Sequence, residues 1–452
     1  MVLPGSARAH DPTAADLERL ATFSHVVVSW IDDSGYPISV ATSFDVDVDA
    51  ATVSLDVPGG MPIPDDRELS VLGSHIRPTP GGYDQRRYVQ LWGRFDGAST
   101  FAPTRAWGWD DSEVPFFEYS ERSVPQSRRY LAKLSEEKGR PIKPRLSPFW
   151  LALRTTRLPF LSATAVPVLL GIAVAASHGA FTWWTALLTV IGAAFAHLAI
   201  NVTNDVFDTL SGADDANTTP TQFSGGSRVA VYDLVSVKGL ARLAVALFGA
   251  AAAVGLVLVA ITDSMLLLWI GVAGIAIGVA YTAPPLKLVY RGLGEFAVAL
   301  GFGPMMLLGA YVVQTGRLAL EPVVLSLVPG ILIALILFVN EIPDRRSDAS
   351  AGKRTLPTRF SPDTIRTAYI VAAVAAFGVI AGGVVGGVLP WPTLVALAAI
   401  PIAFRVHQGL KVHYDSPYTL MAVMGTNVNL NLIVGGLLLA AYVVTIIATE
   451  MT

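Results

Sequence analysis

The sequence AINVTNDVFDTLSGAD at residues 199–214 joins the end of a long apolar segment to three carboxylates, Asp205, Asp208 and Asp214. Upstream of these carboxylates, residues 158–204 contain no Asp, Glu, Lys or Arg. A helix that crosses a bilayer needs roughly 20 apolar residues, so this uncharged run is long enough for two such helices. The stretch therefore predicts an integral membrane protein with acidic side chains at the end of a transmembrane helix.

The composition agrees with a membrane protein. Of the 452 residues, 52% are hydrophobic and 15% are charged, against roughly 25% charged residues in soluble domains. The formal net charge of -3 and the lack of a basic tract exclude a nucleic-acid partner. Because the sequence has no cysteine, disulfides, thiolate metal sites and cysteine nucleophiles are excluded. The N-terminal segment lacks the apolar core of a signal peptide, so we expect the chain to begin in the cytoplasm.

The character of the chain changes near residue 150. Residues 25–97 alternate with period two in segments such as HVVVSWID, TVSLDV and YVQLWGRFDG, with the turn sequences DDSG, PGG and TPGG between segments. This pattern predicts a small β-barrel of the α+β class within residues 1–140. A basic, Pro-rich linker follows at 141–157. Residues 158–450 are predicted to form an all-α integral membrane bundle.

Nine transmembrane helices are predicted in this bundle. Their ranges are 158–178, 181–204, 239–262, 265–283, 293–314, 321–341, 364–386, 390–406 and 426–448. With a cytoplasmic N-terminus, basic residues gather in the loops that follow even-numbered spans, and the opposite loops hold only Arg317. The positive-inside rule therefore favours nine spans and a multi-pass protein in the cell membrane. It places both acidic clusters on the cytoplasmic side and the C-terminus on the opposite side.

Helical spacing places the acidic side chains in two groups. Asn201, Asn204, Asp205 and Asp208 fall at i, i+3, i+4 and i+7, so they share one helix face. In the second cluster, NEIPDRRSDASAGKRTL at 340–356, Asp344 and Asp348 are four residues apart and also share a face. Two carboxylate pairs can each hold a Mg²⁺ ion that completes its coordination with water and phosphate oxygens. Solvated helix ends are the alternative interpretation of either pair.

A third motif, YTAPPLKLVYRGLGE at 281–295, adds positive charge on the same side. It carries Tyr281, Lys287 and Arg291 at the end of the fourth predicted span. Mg²⁺-binding carboxylates beside Lys and Arg, at the mouth of an apolar bundle, suit a diphosphate with a long apolar tail. For Lys287 and Arg291 alone, anchoring at the membrane surface is the alternative.

These three motifs resemble the UbiA superfamily of intramembrane aromatic prenyltransferases, which have nine helices and two Asp-rich motifs. NDVFDTLSGAD resembles the first motif of the 1,4-dihydroxy-2-naphthoate polyprenyltransferase branch. Gly212 stands where many quinone-pathway relatives have a last Asp, and Asp214 matches the last acidic residue of the naphthoate branch. The resemblance covers roughly residues 147–450.

The resemblance implies Mg²⁺-dependent transfer of a prenyl group from a polyprenyl diphosphate to an aromatic, naphthoate-like acceptor in menaquinone biosynthesis, with release of diphosphate. It implies metal binding by Asp205, Asp208, Asp344 and Asp348, with Asp214 as a further candidate, and a catalytic role for Lys287. The implied substrate-binding residues are Asn201, Asn204, Arg228, Tyr281, Arg291, Lys353 and Arg354. Tyr281 and Phe302 are candidates for cation–π stabilisation of an allylic cation. We expect His178 and His197 to be structural.

The N-terminal segments resemble split-barrel flavin-binding domains of the pyridoxamine 5′-phosphate oxidase type. That resemblance implies FMN or a related flavin, with phosphate held by Arg77, Arg86 and Arg87 near Ser74 and His75. With flavin, the domain would act as a reductase of the acceptor or product. Without flavin, it would be a dimerisation or membrane-surface module, and a homodimer through this domain is expected.

Two other functions compete with prenyl transfer to an aromatic acceptor. A terpene cyclase of the same superfamily would close the allylic cation on itself. A transporter is disfavoured, because the charges gather at one membrane face and no internal repeat is evident. The sequence leaves open the length of the prenyl chain, the identity of the acceptor and the oligomeric state.

Overall fold

The computed structural model describes residues 9–59, 61, 63–64, 66–79, 82–96, 99–112, 116–143, 146–217, 220–417 and 419–450. Residues 1–8 of the N-terminal segment, residues 144–145 of the linker and several residues between the predicted strands lie outside this description. The chain forms two compact units, residues 1–142 and residues 143–452. Each unit has its own hydrophobic core.

The N-terminal unit is built on one antiparallel sheet of seven strands in the order β2-β1-β5-β6-β7-β4-β3. The strands are β1 (Val26–Ile31), β2 (Pro37–Thr42), β3 (Phe44–Asp47), β4 (Thr52–Leu55), β5 (Leu69–Thr79), β6 (Gly82–Phe95) and β7 (Thr100–Asp110). Burial alternates along β1, as period two requires when one face covers a core. Helix α1 (Ala14–Leu20) buries Leu17 and Leu20 in that core, and α2 (Phe116–Glu137) follows the sheet. The prediction of a β domain before a helical domain is confirmed.

The second unit is helical throughout the residues that the structure describes. After α3 (Pro148–Thr156) it contains α4 (Ser162–Ser177), α5 (Trp183–Ser211), α6 (Ala213–Ala216), α7 (Val237–Thr262), α8 (Met265–Thr282), α9 (Gly294–Leu300), α10 (Met306–Thr315), α11 (Leu320–Ser350), α12 (Leu356–Arg359), α13 (Pro362–Val385), α14 (Ile400–His413) and α15 (Leu420–Glu450). α9 and α10 form one continuous rod, as do the 3₁₀ segment Trp391–Ala399 and α14.

Within the described residues, eight helices are long and apolar enough to cross a membrane. The predicted count of nine is not confirmed, because the first predicted span, 158–178, is the short helix α4 of 16 residues after a 3₁₀ turn at Leu158–Leu161. At a rise of about 1.5 Å per residue, α4 is about 24 Å long, less than the roughly 30 Å of a bilayer core. Most of α4 is buried inside the bundle.

Two helices extend further than the hydropathy pattern predicts. α5 continues to Ser211 and α11 to Ser350, whereas the apolar spans were expected to stop at residues 204 and 341. Asp205 and Asp208 therefore lie on the last turns of α5, and Asp344 and Asp348 lie on the last turns of α11. The rod of α9 and α10 is interrupted by a π-helical segment, Gly301–Met305, because Pro304 has no amide hydrogen to donate to the helix.

Small residues let neighbouring helices approach closely. A Cβ atom at Gly171 in α4 would lie 2.3 Å from the carbonyl oxygen of Leu307 in α10. A Cβ atom at Gly303 would lie 2.5 Å from the carbonyl oxygen of Ser326 in α11. Close backbone approach of this kind is how membrane helices maximise packing without a hydrophobic driving force.

The variant Gly171→Ala tests the contact between α4 and α10. A methyl group there would collide with the α10 backbone, so we expect the free energy of unfolding to fall by about 1–3 kcal/mol. The measurement is the melting temperature of the detergent-solubilised chain. Gly249→Ala in α7 is the matched control, because nothing lies within 4 Å of a Cβ at that position. Equal melting temperatures for the two variants would contradict this packing.

Candidate active site

A cavity of about 500 Å³ lies inside the helical unit. Its polar end is formed by the last turns of α5 and α11 and the loops that follow these helices. The polar lining residues are Arg157, Asn201, Asn204, Asp208, Asp214, Asn217, Ser224, Tyr281, Asn340, Glu341, Asp344, Ser347, Asp348 and Lys353. The remaining wall is apolar except for Thr189 and His197, and it includes Phe248, Leu268, Ile275, Phe302, Met305 and Ile336. Leu256 of α7 and Val272 of α8 line the cavity and are also exposed, so it opens to the apolar surface of the bundle there.

Lys353 joins the two Asp-rich motifs at the polar end. Its Nζ lies 3.2 Å from Asp208 Oδ2 and 3.7 Å from Asp348 Oδ1. The turn after α11 folds back so that the Lys353 amide donates to the Asp348 carbonyl oxygen at 2.8 Å. Burial alone lowers the pKa of Lys353, but the carboxylates of Asp208 and Asp348 outweigh it and raise the pKa well above its ordinary value. Lys353 is therefore a fixed positive charge at the cavity.

Asp208 accepts two more hydrogen bonds. The Tyr290 hydroxyl donates to its Oδ1 at 2.8 Å, and Asn204 Nδ2 donates to its Oδ2 at 3.1 Å. Asn204 and Asp208 are four residues apart on α5, so one helix face supplies both groups, as the spacing predicts. Burial, followed by the charge of Asp208, raises the pKa of Tyr290, which keeps its hydroxyl protonated as a donor.

The loop between α6 and α7 holds the other carboxylates. The Ser227 amide donates to both oxygens of Asp205 at 3.2 and 3.3 Å, and the Gly225 amide donates to Asp344 Oδ2 at 2.8 Å. Gly226 has a φ of +72°, and a Cβ there would lie 2.9 Å from Asp214 Oδ1 and 3.2 Å from Asp205 Oδ1. Only glycine fits this position, because it combines a left-handed backbone with close carboxylates.

Asp214 lies on the short helix α6 and lines the cavity. Burial raises its pKa well above the ordinary value, and the nearby charges of Asp208 and Asp205 raise it further. Arg157 provides a positive charge near Asp205, since its Nη2 lies 3.8 Å from Asp205 Oδ1. Several carboxylates are thus gathered in a small volume that favours a bound cation.

The structure brings most of the predicted site residues to this cavity. Those that line it are Asn201, Asn204, Asp208, Asp214, Tyr281, Asp344, Asp348 and Lys353. Asp205 is buried just behind the wall, bonded to the Ser227 amide. Phe302 lines the apolar part, with its ring centroid 4.9 Å from that of His197. His197 is hydrogen-bonded to Thr164. His178 is hydrogen-bonded to Tyr311 and Glu321.

Four predicted basic residues do not line the cavity. Lys287 Nζ lies over the Tyr290 ring at 5.1 Å, and Arg291 donates to the Pro285 carbonyl oxygen at 3.0 Å. Arg228 donates to the carbonyl oxygens of Asp214 and Asn217, so its guanidinium braces the loop. The side chain of Arg354 is exposed. The motifs did not distinguish these four residues from Lys353. The geometry of the loops decides which basic side chain reaches the cavity, and the motifs do not reveal that geometry.

The sequence reasoning missed several residues of the site, of which four are the most informative. Arg157 lines the cavity from the segment that precedes α4, Tyr290 bonds Asp208, and Asn217 Nδ2 donates to Asp344 Oδ1 at 2.8 Å. Glu341 lines the cavity beside Asp344. Tyr290 lies within the motif at 281–295, and Glu341 lies within the motif at 340–356. Their polar side chains near helix ends could therefore have been predicted as part of the site. Arg157 and Asn217 become neighbours of the site only through the tertiary fold.

The N-terminal arginines do not form one cluster. Arg86 and Arg87 are consecutive on β6, so their side chains point to opposite faces of the sheet. Arg86 is paired with Asp111 at 3.1 Å, and the guanidinium of Arg87 lies 5.5 Å from the Phe23 ring centroid. Arg77 is exposed on β5, opposite Asp84 in the ladder. Ser74 and His75 are exposed on the same strand.

The carboxylates suit Mg²⁺ that is shared with a phosphate group. In the part of the chain that the structure describes, no three His, Asp or Glu side chains converge as a preformed metal cage. Mg²⁺ commonly binds one or two carboxylates and takes its remaining ligands from water and substrate phosphates. The separate oxygens of Asp208, Asp344 and Asp348 fit that mode. The site is thus of the kind that suits an amphiphile with a polyanionic head, within a bundle of membrane-type helices.

The chain matches the UbiA prenyltransferase family over residues 164–433. This is more than half of the chain, and the chain therefore belongs to the UbiA prenyltransferase family. The matched region does not include the N-terminal unit.

Similar proteins include two naphthoate-directed transferases. The 2-carboxy-1,4-naphthoquinone phytyltransferase of Synechocystis sp. is 29% identical over 311 residues, which cover 67% of this chain and 96% of that protein. The 1,4-dihydroxy-2-naphthoate octaprenyltransferase of Mycobacterium tuberculosis is 33% identical over 243 residues, which cover 53% and 78%. A UbiA homolog from Archaeoglobus fulgidus, solved with DMAPP and Mg²⁺, aligns with a TM-score of 0.48 at 14% identity over 65% of this chain and 98% of that chain.

The variant Lys353→Met tests the ion bridge. Removing the buried cation leaves Asp208 and Asp348 facing each other, and breaking a buried pair costs about 3–5 kcal/mol. We expect a lower melting temperature in metal-free buffer. Arg354→Met is the matched control, because the neighbouring side chain is exposed. An unchanged melting temperature for Lys353→Met would show that the bridge does not stabilise the fold.

Proposed function

We propose that this protein transfers a prenyl group from a polyprenyl diphosphate to a naphthoate-type aromatic acceptor in quinone biosynthesis, with Mg²⁺ as cofactor. The observation that carries the proposal is one cavity with paired carboxylates and Lys353 at its polar end and an apolar wall beyond. The names of the relatives from Synechocystis and Mycobacterium tuberculosis support the naphthoate branch.

The carboxylates are proposed to hold Mg²⁺ as two groups. Asp208 and Asp205 on α5 form one group, with Asp214 near them, and Asp344 and Asp348 on α11 form the other. When bound, Mg²⁺ supplies positive charge that stabilises the departing diphosphate. The hydrogen bonds from the Gly225 and Ser227 amides and the Tyr290 hydroxyl fix the carboxylate oxygens in place before substrate arrives.

Lys353 and Arg157 are the cations proposed to contact the diphosphate. Both line the cavity. Charge fixed in advance near a leaving anion is generally the largest contribution to catalysis of this kind. Asn201 and Asn204 are proposed to donate to phosphate oxygens from the same face of α5. The other predicted basic residues are proposed to attract the diphosphate or to stabilise the loops around the site. They are Lys287, Arg291, Arg228 and Arg354.

The apolar wall is proposed to hold the prenyl chain and the allylic cation. Phe302 and Tyr281 present aromatic rings to the cavity, and such rings stabilise a desolvated cation by about 2 kcal/mol. The apolar lining also excludes water, which would otherwise capture the cation. A terpene cyclase shares these features, so product analysis must distinguish the two reactions.

The variants Asp208→Asn and Asp348→Asn test the catalytic proposal. Neutralising either carboxylate weakens the metal site, so we expect prenyl transfer to fall by on the order of 10²–10³-fold and to stop when EDTA removes Mg²⁺. The assay supplies geranylgeranyl diphosphate and 1,4-dihydroxy-2-naphthoate and measures products by mass spectrometry.

The control for this assay is Asp363→Asn, an exposed carboxylate at the start of α13. Its activity should equal that of the original sequence. A hydrocarbon or prenyl alcohol formed without acceptor would instead support the cyclase, and full activity of Asp208→Asn would refute the assigned role.

We further propose that the polar end of the cavity faces the cytoplasm. Basic residues gather on that side of the bundle, whereas Arg317 stands alone on the other. The natural chain has no cysteine, so single-cysteine variants report cleanly on topology. In intact cells, a membrane-impermeant maleimide should label Arg317→Cys but not Gly352→Cys. The reverse labelling would contradict the proposed orientation.

For the N-terminal unit, we propose a split-barrel domain that acts as a dimerisation module without flavin. The divergence of Arg86 and Arg87 to opposite sheet faces supports this choice over a flavin reductase, since the two do not converge on one phosphate. The test is the visible absorption spectrum and the molar mass of the purified full chain. A flavin spectrum or a monomer would contradict the proposal.

A further inference from the structure

Two buried carboxyl groups beside the cavity have no part in the proposed metal sites. Glu341 of α11 is 5% exposed and Glu295 at the start of α9 is 9% exposed. No side-chain N–H or hydroxyl group of another described residue donates to either carboxyl group, although the two carboxyl groups lie close enough to share a proton. Unsatisfied buried carboxyl groups are costly, so their presence calls for a ligand or a shared proton.

The two groups differ in what they face. Glu341 lines the cavity, together with its neighbour Asn340, whose Oδ1 is also buried and without a donor. Glu295 lies behind Glu341 and within hydrogen-bonding reach of it. The ring of Tyr281 is adjacent, since a Cβ at Gly294 would lie 3.4 Å from Tyr281 Cε2. The cavity therefore presents unpartnered acceptor oxygens one helical turn before Asp344 on α11.

We infer that Glu341 binds a hydroxyl group of the aromatic acceptor and takes its proton. This inference rests on the proposed function and names the residue that activates the acceptor. A ring hydroxyl supplies the donor that Glu341 lacks. A free carboxylate would be repelled by Glu341, so the acceptor is a hydroxylated aromatic ring oriented with its hydroxyl, and not its carboxylate, toward α11.

The proton and electrons balance in this step. The hydroxyl proton passes to Glu341 as the ring carbon forms a bond to the allylic carbon. The bond between the allylic carbon and the diphosphate oxygen breaks, and its electron pair stays on the diphosphate. The substituted ring carbon then loses CO₂ where it carries a carboxylate, or otherwise loses its own proton, which passes to the released diphosphate. As aromaticity returns, the hydroxyl oxygen takes its proton back from Glu341.

Steady-state kinetics of the full-length chain test this role. We expect Glu341→Gln to lower kcat/KM for 1,4-dihydroxy-2-naphthoate by about 10²–10⁴-fold, the usual contribution of a positioned general base, with KM for geranylgeranyl diphosphate unchanged. Glu341→Asp should recover part of the activity. Glu295→Gln is the matched control: it replaces the carboxyl behind Glu341, and its amide can donate to Glu341, so most activity should remain.

Equilibrium binding separates hydroxyl recognition from a structural role. Calorimetry in the presence of Mg²⁺ and diphosphate should show that the original protein binds 1,4-dihydroxy-2-naphthoate more tightly than its dimethoxy analogue. Glu341→Gln should lose that preference. Equal affinity of the original protein for both compounds would overturn the inference even if the variant fails to fold.

The same experiments distinguish failure of this inference from failure of the proposed function. If the original protein forms no prenylated aromatic product, the proposed function fails. A second outcome is that the original protein forms product, Asp208→Asn forms none, and Glu341→Gln is as active as the original protein. In that case the proposed function stands and the role of Glu341 is wrong.

Discussion

The buried charge of Lys353 is the constraint around which the helical unit is organised. Two helices end with carboxylates inside an apolar bundle, and such charges persist only when they are paired or bound to metal. Lys353 reaches Asp208 on α5 and Asp348 on α11 at the same time. The ends of these two helices are therefore tied together at the polar end of the cavity.

Backbone donors complete this arrangement. The loop between α6 and α7 turns its Gly225 and Ser227 amides toward carboxylates of both helices. Gly226 allows the approach because it has no side chain. Carboxylates held by amides are positioned before substrate binds, so they need little reorganisation during the reaction. This explains why the site combines transmembrane helix ends with an irregular loop.

The sequence predicted the order of a β unit and a helical unit, and it predicted which carboxylates share a helix face, because hydropathy and helical spacing act over short distances. Asp208 and Asp348 share faces with Asn204 and Asp344 for purely local reasons. The predicted count of nine spans is not confirmed, since α4 is short and shielded by protein. Lys353 lies at the cavity and Lys287 does not, because the turn after α11 folds back on that helix. Arg157 reaches the site only through the tertiary fold. Such long-range geometry leaves no periodic signal in a single sequence.

The opening of the cavity toward the apolar surface has a consequence for the direction of the reaction. One end of the cavity is polar, and the cavity reaches the apolar surface at Leu256 and Val272. A prenylated aromatic product can pass through this apolar opening directly into lipid, whereas the charged diphosphate is retained by the polar end. The two products are therefore drawn toward different environments, which lowers the chance that they meet again and favours the forward reaction.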